Sequence, residues 1–448
     1  MDLRREHPVC KCKRKYIPCY EYWLRLVFYW AGFYFIMYSE ADAQNWGENP
    51  YPYVPSELDI ISNPNFLYNS FLKSKKGVSW KSSVQRYEIN LLSEIAKAHY
   101  TIESGEYVPK APYEFILHER GRQRAIKAVC IEDRVIQRTL NDNLLIPIID
   151  KYLISDNPAS RVGMGLSYAR NRFVEHLKKY YINNGNSNEG YILFIDFSKY
   201  FDNIRHDMML EMIRPLVSEK IFNFIKIIFD QFKIDVSYMN DDEFARCLDE
   251  VFNMVKYDEI DKELLTGEKY MEKSVGIGNQ IAQICGLYYP HEIDNYCKIV
   301  LGLKYYGRYM DDTYIVAKTK EELQLLLQDL KIKYSQLGIF VNEKKTRILS
   351  LTHEVTYLKI RYILKESGKV IQLIPNETFD RYIRKLKKFH NKYLNNQMSL
   401  DDIIQSFKSW FGSYYKYDSK QRLYELVYYF KILFNIPTDY LLSPEYNF

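Results

Sequence analysis

Residues 304–318 read KYYGRYMDDTYIVAK. Aromatic and apolar residues run up to Tyr309 and Met310, two adjacent aspartates follow, and Tyr314, Ile315 and Val316 resume the apolar run. Such flanks around a polar pair read as two strands with Asp311 and Asp312 at a hairpin turn. Neighbouring aspartates repel each other, so a fold that presents both needs positive charge close by. Alone, the pair would carry no chemistry, because turns favour Asp. A second stretch changes this. Residues 191–201 read YILFIDFSKYF and set Asp196 inside an otherwise apolar, strand-like run. A carboxylate there is costly unless it is paired or holds a metal. Asp196, Asp311 and Asp312 together could hold two hard cations of the Mg²⁺ type through oxygen. Two such ions, about 3.5–4 Å apart, clamp the attacking and leaving oxygens in phosphoryl transfer.

YMDD preceded by FIDFSKYFDNI, with a glycine-bearing segment between them, resembles the reverse transcriptases. The resemblance runs over about residues 85–430, with the FIDFSKYF, GIGNQ, YMDD and NEKKT elements in the family's order. It implies an α+β fold of right-hand polymerase type: fingers, a palm of antiparallel sheet with helices on one side in the split βαβ manner, and a helical thumb. The expected division is an N-terminal extension (1–60), fingers with the start of the palm (61–190), palm (191–374) with an acidic excursion (235–272), and thumb (375–448).

The same resemblance assigns roles. Asp196, Asp311 and Asp312 would be catalytic metal ligands, joined by the backbone carbonyl of Phe197, with Mg²⁺ as the ion and Mn²⁺ as its alternative. Phe201, five positions after Asp196, would be the aromatic gate that fills the space of a ribose 2′-hydroxyl, a simple steric exclusion. Lys345 in NEKKT matches the lysine that protonates departing pyrophosphate, with Lys344 as its neighbour. Tyr357-Leu358-Lys359 resembles the primer-grip hairpin.

Residues 113–138, YEFILHERGRQRAIKAVCIEDRVIQR, read as strand, turn at Gly121, strand and helix. Arg122 and Arg124 share one face at a spacing of two, and guanidinium forks suit phosphate oxygens. In the family this hairpin folds over the incoming triphosphate, so both arginines are expected at its β- and γ-phosphates. In SRVGMGLSYA (160–169) the paired glycines allow close backbone approach, to a template strand or within a plain loop. SVGIGNQIAQ (274–283) is a glycine loop opening a helix, suited to approach by a nucleotide or template base. It departs from the family's common pattern: Ile277 replaces a glutamine, Gly278 follows, and the last pair is Ala282-Gln283. It looks closer to the form of diversity-generating and other bacterial enzymes. Ile277, Gly278 and Gln283 are the substrate-binding candidates there, and loss of the glutamine predicts relaxed base discrimination.

Composition sets the outer limits. A chain of 448 residues can bury a large core. Charge is uneven: residues 241–272 hold eleven acidic against four basic residues, and residues 377–422 ten basic against five acidic. Nucleic acid should follow the second segment and avoid the first. Seven scattered cysteines suit free thiols in a reducing cytosol. His7, Cys10, Cys12 and Cys19 could ligate zinc, but Cys-x-Cys is not the usual spacing. The apolar run 23–38 is interrupted by Arg25 and shorter than the roughly 20 residues that span a bilayer, so a buried or partner-facing helix is expected rather than a membrane anchor.

These readings point to a cytoplasmic RNA-directed DNA polymerase. Its partners would be an RNA template (a structured non-coding RNA), a DNA primer and product, and deoxynucleoside triphosphates, with oligomers left open. No nuclease, RNase H or zinc-finger pattern follows the thumb, so the reading leans to a standalone bacterial enzyme of antiphage defence, with retron and diversity-generating types as alternatives. Template-independent or protein-primed synthesis is a further alternative, and an RNA-binding scaffold is the non-enzymatic one.

Overall fold

The computed structural model describes residues 55–119 and 121–436. The zinc candidates His7, Cys10, Cys12 and Cys19, the apolar run 23–38 and nearly all of the expected N-terminal extension lie outside the described residues. Helices Glu57–Ser62, Pro64–Ser74, Ser82–Ile89 and Leu91–Glu103 come first. Ser56 and Asp59 cap the first reciprocally, and Asn63 caps the second just ahead of Pro64. The last of the four turns Ile95, Ala98 and Ile102 inward. The sequence suggests a face through Leu91, Leu92, Ile95 and Ala96 instead, but Leu92 is 85% exposed. Two apolar stripes overlap on this helix, and packing against Glu57–Ser62 and Pro64–Ser74 selects one.

β1 (Tyr113–Glu119) and β2 (Arg122–Ala128) form an antiparallel hairpin with Glu119 opposite Arg122. Gly121 supplies the left-handed residue of its turn, at φ 72°. Helix Ile131–Leu140 follows, then the long helix Leu166–Asn183. Next come β3 (Tyr191–Ile195), a short pair β4 (Ile234–Asp235) and β5 (Tyr270–Met271), then β6 (Tyr306–Tyr309), β7 (Asp312–Ala317) and β8 (Arg347–Ser350). The central sheet has the order β6-β7-β3-β8, antiparallel throughout.

Side chains alternate across this sheet. Leu193, Ile195 and Ile315 enter the core shared with helices Ile131–Leu140, Gln280–Tyr288 and Lys320–Gln336. Ile192, Tyr314 and Val316 enter a second core with helix Leu166–Asn183. That second core continues into β9 (Val355–Tyr357), β10 (Ile360–Leu364) and β11 (Val370–Leu373), and into helices Asn376–Leu394, Leu400–Tyr414 and Lys420–Phe434. Both faces of the sheet are therefore covered, where the sequence suggests helices on one side only.

The acidic stretch 235–272 carries helices Asp241–Asp249 and Met254–Tyr257, closed at its base by the β4–β5 pair. It has a small core of its own, Ile234, Val236, Phe252, Met254 and Met271, and Ala125 of β2 packs against it. The excursion thus braces the back of the β1–β2 hairpin. Asn203 fastens it to the segment after β3, donating from Nδ2 to the Phe252 carbonyl and accepting from the Phe252 N–H at 2.8 Å.

Candidate active site

Strand register brings the carboxylates together. Ile195, the last residue of β3, lies opposite Thr313, and Tyr309 lies opposite Asp312. Asp196 and the β6–β7 turn therefore emerge at one end of the sheet. The turn proper is Met310–Asp311, and Asp312 is already the first residue of β7, so the turn falls one position earlier than a turn on both aspartates. Met310 adopts φ 56°, a left-handed conformation that is costly for a non-glycine residue.

A third stretch closes the site. The Asn342 N–H donates to the Asp196 carbonyl at 2.8 Å, and the Ser198 N–H to the Phe340 carbonyl at 2.7 Å. These bonds flank an antiparallel bridge between Phe197 and Val341, a pairing in which the Phe197 carbonyl points away from Val341. They deliver Lys345, whose Nζ donates to both carboxylate oxygens of Asp196, at 3.1 and 2.9 Å. Lys344 lines the same cleft of about 320 Å³ together with Asp196, Asp312 and Tyr357.

The carboxylates feel one another. Burial pushes Asp311 up, and the Asp196 charge adds to it, opposed by Lys345 and Arg124. Asp312 rises to about 7, first through burial and then through Asp311 and Asp196, with Lys345 and Lys359 opposing. Its side chain still reaches solvent, which screens part of that repulsion. The group as a whole is short of positive charge.

Arg122 and Arg124 project from one face of β2 into an adjoining cavity of about 930 Å³, which Lys359, Arg361 and Arg381 also line. Arg124 Nη1 stands 3.6 Å from Glu119. Phe201 is the middle residue of a short 3₁₀ turn, Tyr200–Asp202, and is half-buried over the helix Gln280–Tyr288. A Cβ added at Gly286 would sit 2.8 Å from Phe201 Cε1 and 3.3 Å from Met310 Sδ.

The glycine loop 276–278 has an unforeseen neighbour. Ile277 bridges Ile126 of β2, and its carbonyl accepts from the Lys127 N–H at 3.0 Å. A Cβ at Gly276 would come within 2.8 Å of Lys127 Cβ, and one at Gly278 within 3.1 Å of Ile126 Cγ2. The close approach these glycines permit is to the β1–β2 hairpin. Asn279 caps the helix that follows, accepting from the Ala282 N–H at 2.7 Å, and Gln283 is exposed on it. By contrast, Gly163 and Gly165 face open space and lead into helix Leu166–Asn183.

Three contributors escape a reading by pattern. Arg308, on β6, is wholly buried and pairs with Asp294 at 2.7 Å. Gly286 is the floor under Phe201. Arg170, on helix Leu166–Asn183, donates through Nε and Nη2 to the Leu358 carbonyl, at 3.1 and 2.6 Å, and through Nη1 to Tyr417 Oη at 2.9 Å. Leu358 and Lys359, the two turn residues between β9 and β10, stand at φ 45° and 64°. That is the backbone of a tight hairpin turn, without the glycine or asparagine that usually eases it. A charge inside a strand was the available signal for Arg308; the other two had none.

A family model described as reverse transcriptase (RNA-dependent DNA polymerase) matches residues 108–362, more than half of the chain. No curated protein matches the sequence. Among solved structures, the telomerase of Candida albicans in complex with a fragment of telomeric RNA is similar at 13% identity, covering 73% of this chain and 59% of that one, with a TM-score of 0.39. The apo telomerase of Candida tropicalis is similar at 14% identity, over 59% of this chain and 48% of that one, with a TM-score of 0.36. The chain thus spans about half to three fifths of the length of these structures. Among the described residues, no helix is long and apolar enough to cross a membrane.

Proposed function

The chain belongs to the reverse transcriptase (RNA-dependent DNA polymerase) family, and on that premise we propose that it extends a DNA primer along an RNA template by nucleotidyl transfer at the cleft around Asp196. The observation that carries this reading is the convergence of Asp196, Asp311 and Asp312 beside Lys345, with Arg124 close enough to act on Asp311.

The donor set fits two Mg²⁺ ions. Three mutually repelling carboxylates supply hard oxygen ligands whose charge Lys345, Arg124 and Lys359 only partly offset. Among the described residues, no three His, Cys, Asp or Glu side chains already form a closed cluster, and Mg²⁺ does not require one: it takes one or two carboxylates and completes its shell with water and substrate phosphate. Asp196, Asp311 and Asp312, with the Phe197 carbonyl, would hold the ions. When bound, such a pair activates the primer 3′-hydroxyl and stabilises charge on the leaving pyrophosphate.

The remaining work belongs to side chains. Arg122 and Arg124 bind the β- and γ-phosphates bidentately. Lys345, held against Asp196 in the resting state, provides a proton to pyrophosphate as it leaves. Phe201, supported from below by Gly286, denies space to a 2′-hydroxyl. Lysines and arginines of helix Asn376–Leu394 hold the duplex backbone without regard to sequence. We further propose a structured RNA as the template and a bacterial defence setting, with retron and diversity-generating roles as alternatives.

Primer extension on RNA and DNA templates with Mg²⁺, beside Asp311→Ala, tests the activity. Templated product that disappears in the variant supports it. Product made without template, or attached to the protein, replaces it with the template-independent or protein-primed reading. Sequencing the nucleic acid that copurifies identifies the template.

A further inference from the structure

Arg308 spends its whole guanidinium inside the protein. It is 0% exposed and Asp294 1%. All five N–H donors of an arginine fork find acceptors. Nε donates to Asp294 Oδ1 at 2.9 Å. Nη2 donates to Asp294 Oδ2 and to the Leu287 carbonyl, both at 2.7 Å. Nη1 donates to the Gly286 and Met310 carbonyls, both at 3.1 Å. Asp294 is saturated in turn: Tyr306 Oη donates to it at 2.5 Å and Asn157 Nδ2 at 3.3 Å.

An ion pair needed only for packing could stop at Asp294. This one goes further, to two carbonyls that matter elsewhere. The Met310 carbonyl belongs to the left-handed residue of the β6–β7 turn and leads directly into Asp311. Gly286 is the residue on which Phe201 rests, and Tyr200 Oη donates to the same Gly286 carbonyl at 2.9 Å. One guanidinium therefore fixes the height of the metal-binding turn and of the floor under the aromatic gate. Desolvating such a pair is expensive, and apolar residues of similar volume often match its stability, so stability alone does not account for it.

We propose that Arg308, braced by Asp294, is a positioning residue that holds the Met310–Asp311 turn and the Gly286 floor in one fixed relation, and thereby sets both divalent-ion affinity and discrimination against ribonucleotides. This rests on the function proposed above. Lysine cannot replace the fork, because a point charge with three donors cannot reach Asp294 and three carbonyls together.

Two variants test it, Arg308→Lys and the apolar pair Arg308→Met with Asp294→Leu. Mn²⁺ binding is measured by electron paramagnetic resonance in the absence of nucleotide and nucleic acid. Incorporation of dNTPs and rNTPs is measured separately, and melting temperature reports the fold. Arg308→Lys is expected to weaken Mn²⁺ binding about 10-fold and to narrow the dNTP-to-rNTP preference about 10-fold. Its kcat should fall by up to about 10²-fold, as expected for a small displacement of the reacting groups, with a much smaller change in dNTP KM. The apolar pair should behave alike while melting within a few degrees of the parent protein. Parental Mn²⁺ affinity and sugar preference in a folded variant overturn the proposal, as do losses that merely follow the melting temperature. If the parent protein incorporates no nucleotide, the functional reading fails, and the Mn²⁺ measurement still decides on Arg308.

Discussion

Lys345 and Asp196 stand 149 residues apart and meet through a forked contact, Nζ to both carboxylate oxygens at 3.1 and 2.9 Å. The lysine side chain is half-exposed, so the pair adds little to stability. On the proposed function, its value lies in where it puts a proton donor. Lys345→Ala is expected to slow single-turnover incorporation by about 10²–10⁴-fold, the usual range for a positioned acid, with the melting temperature unchanged. Lys344→Ala should leave the rate within a few-fold of the parent. Equal losses in both variants would show that the 342–346 turn contributes general positive charge rather than one acid.

Phe201 and its floor should be separable from the chemistry. Phe201→Ala is expected to raise rNTP incorporation relative to dNTP by about 10–10²-fold, a loss of steric exclusion worth roughly 1–3 kcal/mol. Gly286→Ala drives a methyl group to 2.8 Å from the Phe201 ring and 3.3 Å from Met310, so it should lower dNTP incorporation as well. Steady-state competition between the two nucleotide types measures both.

Glu119 competes for Arg124, at 3.6 Å across the hairpin. If Arg124 grips a triphosphate, that contact must open. Arg124→Ala should raise dNTP KM about 10-fold, and Glu119→Gln should lower it two- to five-fold, the worth of an exposed ion pair of about 0.5–1 kcal/mol. Unchanged KM in both variants would remove Arg124 from substrate binding.

Stability should depend on pH in two opposed windows. Burial lifts Asp202 to about 6, opposed by its bond from the Met254 N–H and by Lys199 and Lys127. The folded chain then holds a proton that the unfolded chain releases near pH 4. Stability falls as pH rises through that window, and the full cost is felt above pH 6. Asp202→Asn should recover on the order of 1–3 kcal/mol at pH 8 and nothing at pH 4. His206 and His176 act in the other direction. Burial lowers each to about 4. Their contribution is complete above about pH 6.5 and is lost as pH falls through 4. Thermal melts of parent and Asp202→Asn between pH 4 and 8 measure both limbs, and parallel curves would contradict the Asp202 account.

Much of this site is legible in the order of residues along the chain. The strands flanking Asp311 and Asp312 announce themselves because apolar runs bracket a polar pair. Asp196 stands out because a carboxylate in such a run needs a reason. Arg122 and Arg124 share a face by their spacing of two, whereas Lys345 is found only through the resemblance of NEKKT to the family's element. What pattern does not carry is partnership at a distance. Arg308 and Asp294 are 14 residues apart with no periodic relation, and nothing in the chain joins them until the helix His291–Asn295 folds under β6. Glycine states a need for room but not for whom: Gly276 and Gly278 make room for Lys127 and Ile126 of the neighbouring hairpin, and Gly286 for Phe201. The acidic excursion reads as a solvated surface because its charges outnumber the five apolar residues that give it a core.

Arg170 links three bodies through a single side chain: its own helix behind the central sheet, the Leu358–Lys359 turn, and Tyr417 among the C-terminal helices. The turn lacks the residues that would make it rigid by itself, so its shape is borrowed from that grip. Were a nucleic-acid duplex to bind the C-terminal helices, its load would pass, like tension along a short tether, to Lys359, whose charge acts on Asp312. On the proposed function, holding the product and aligning the end to be extended become one mechanical variable.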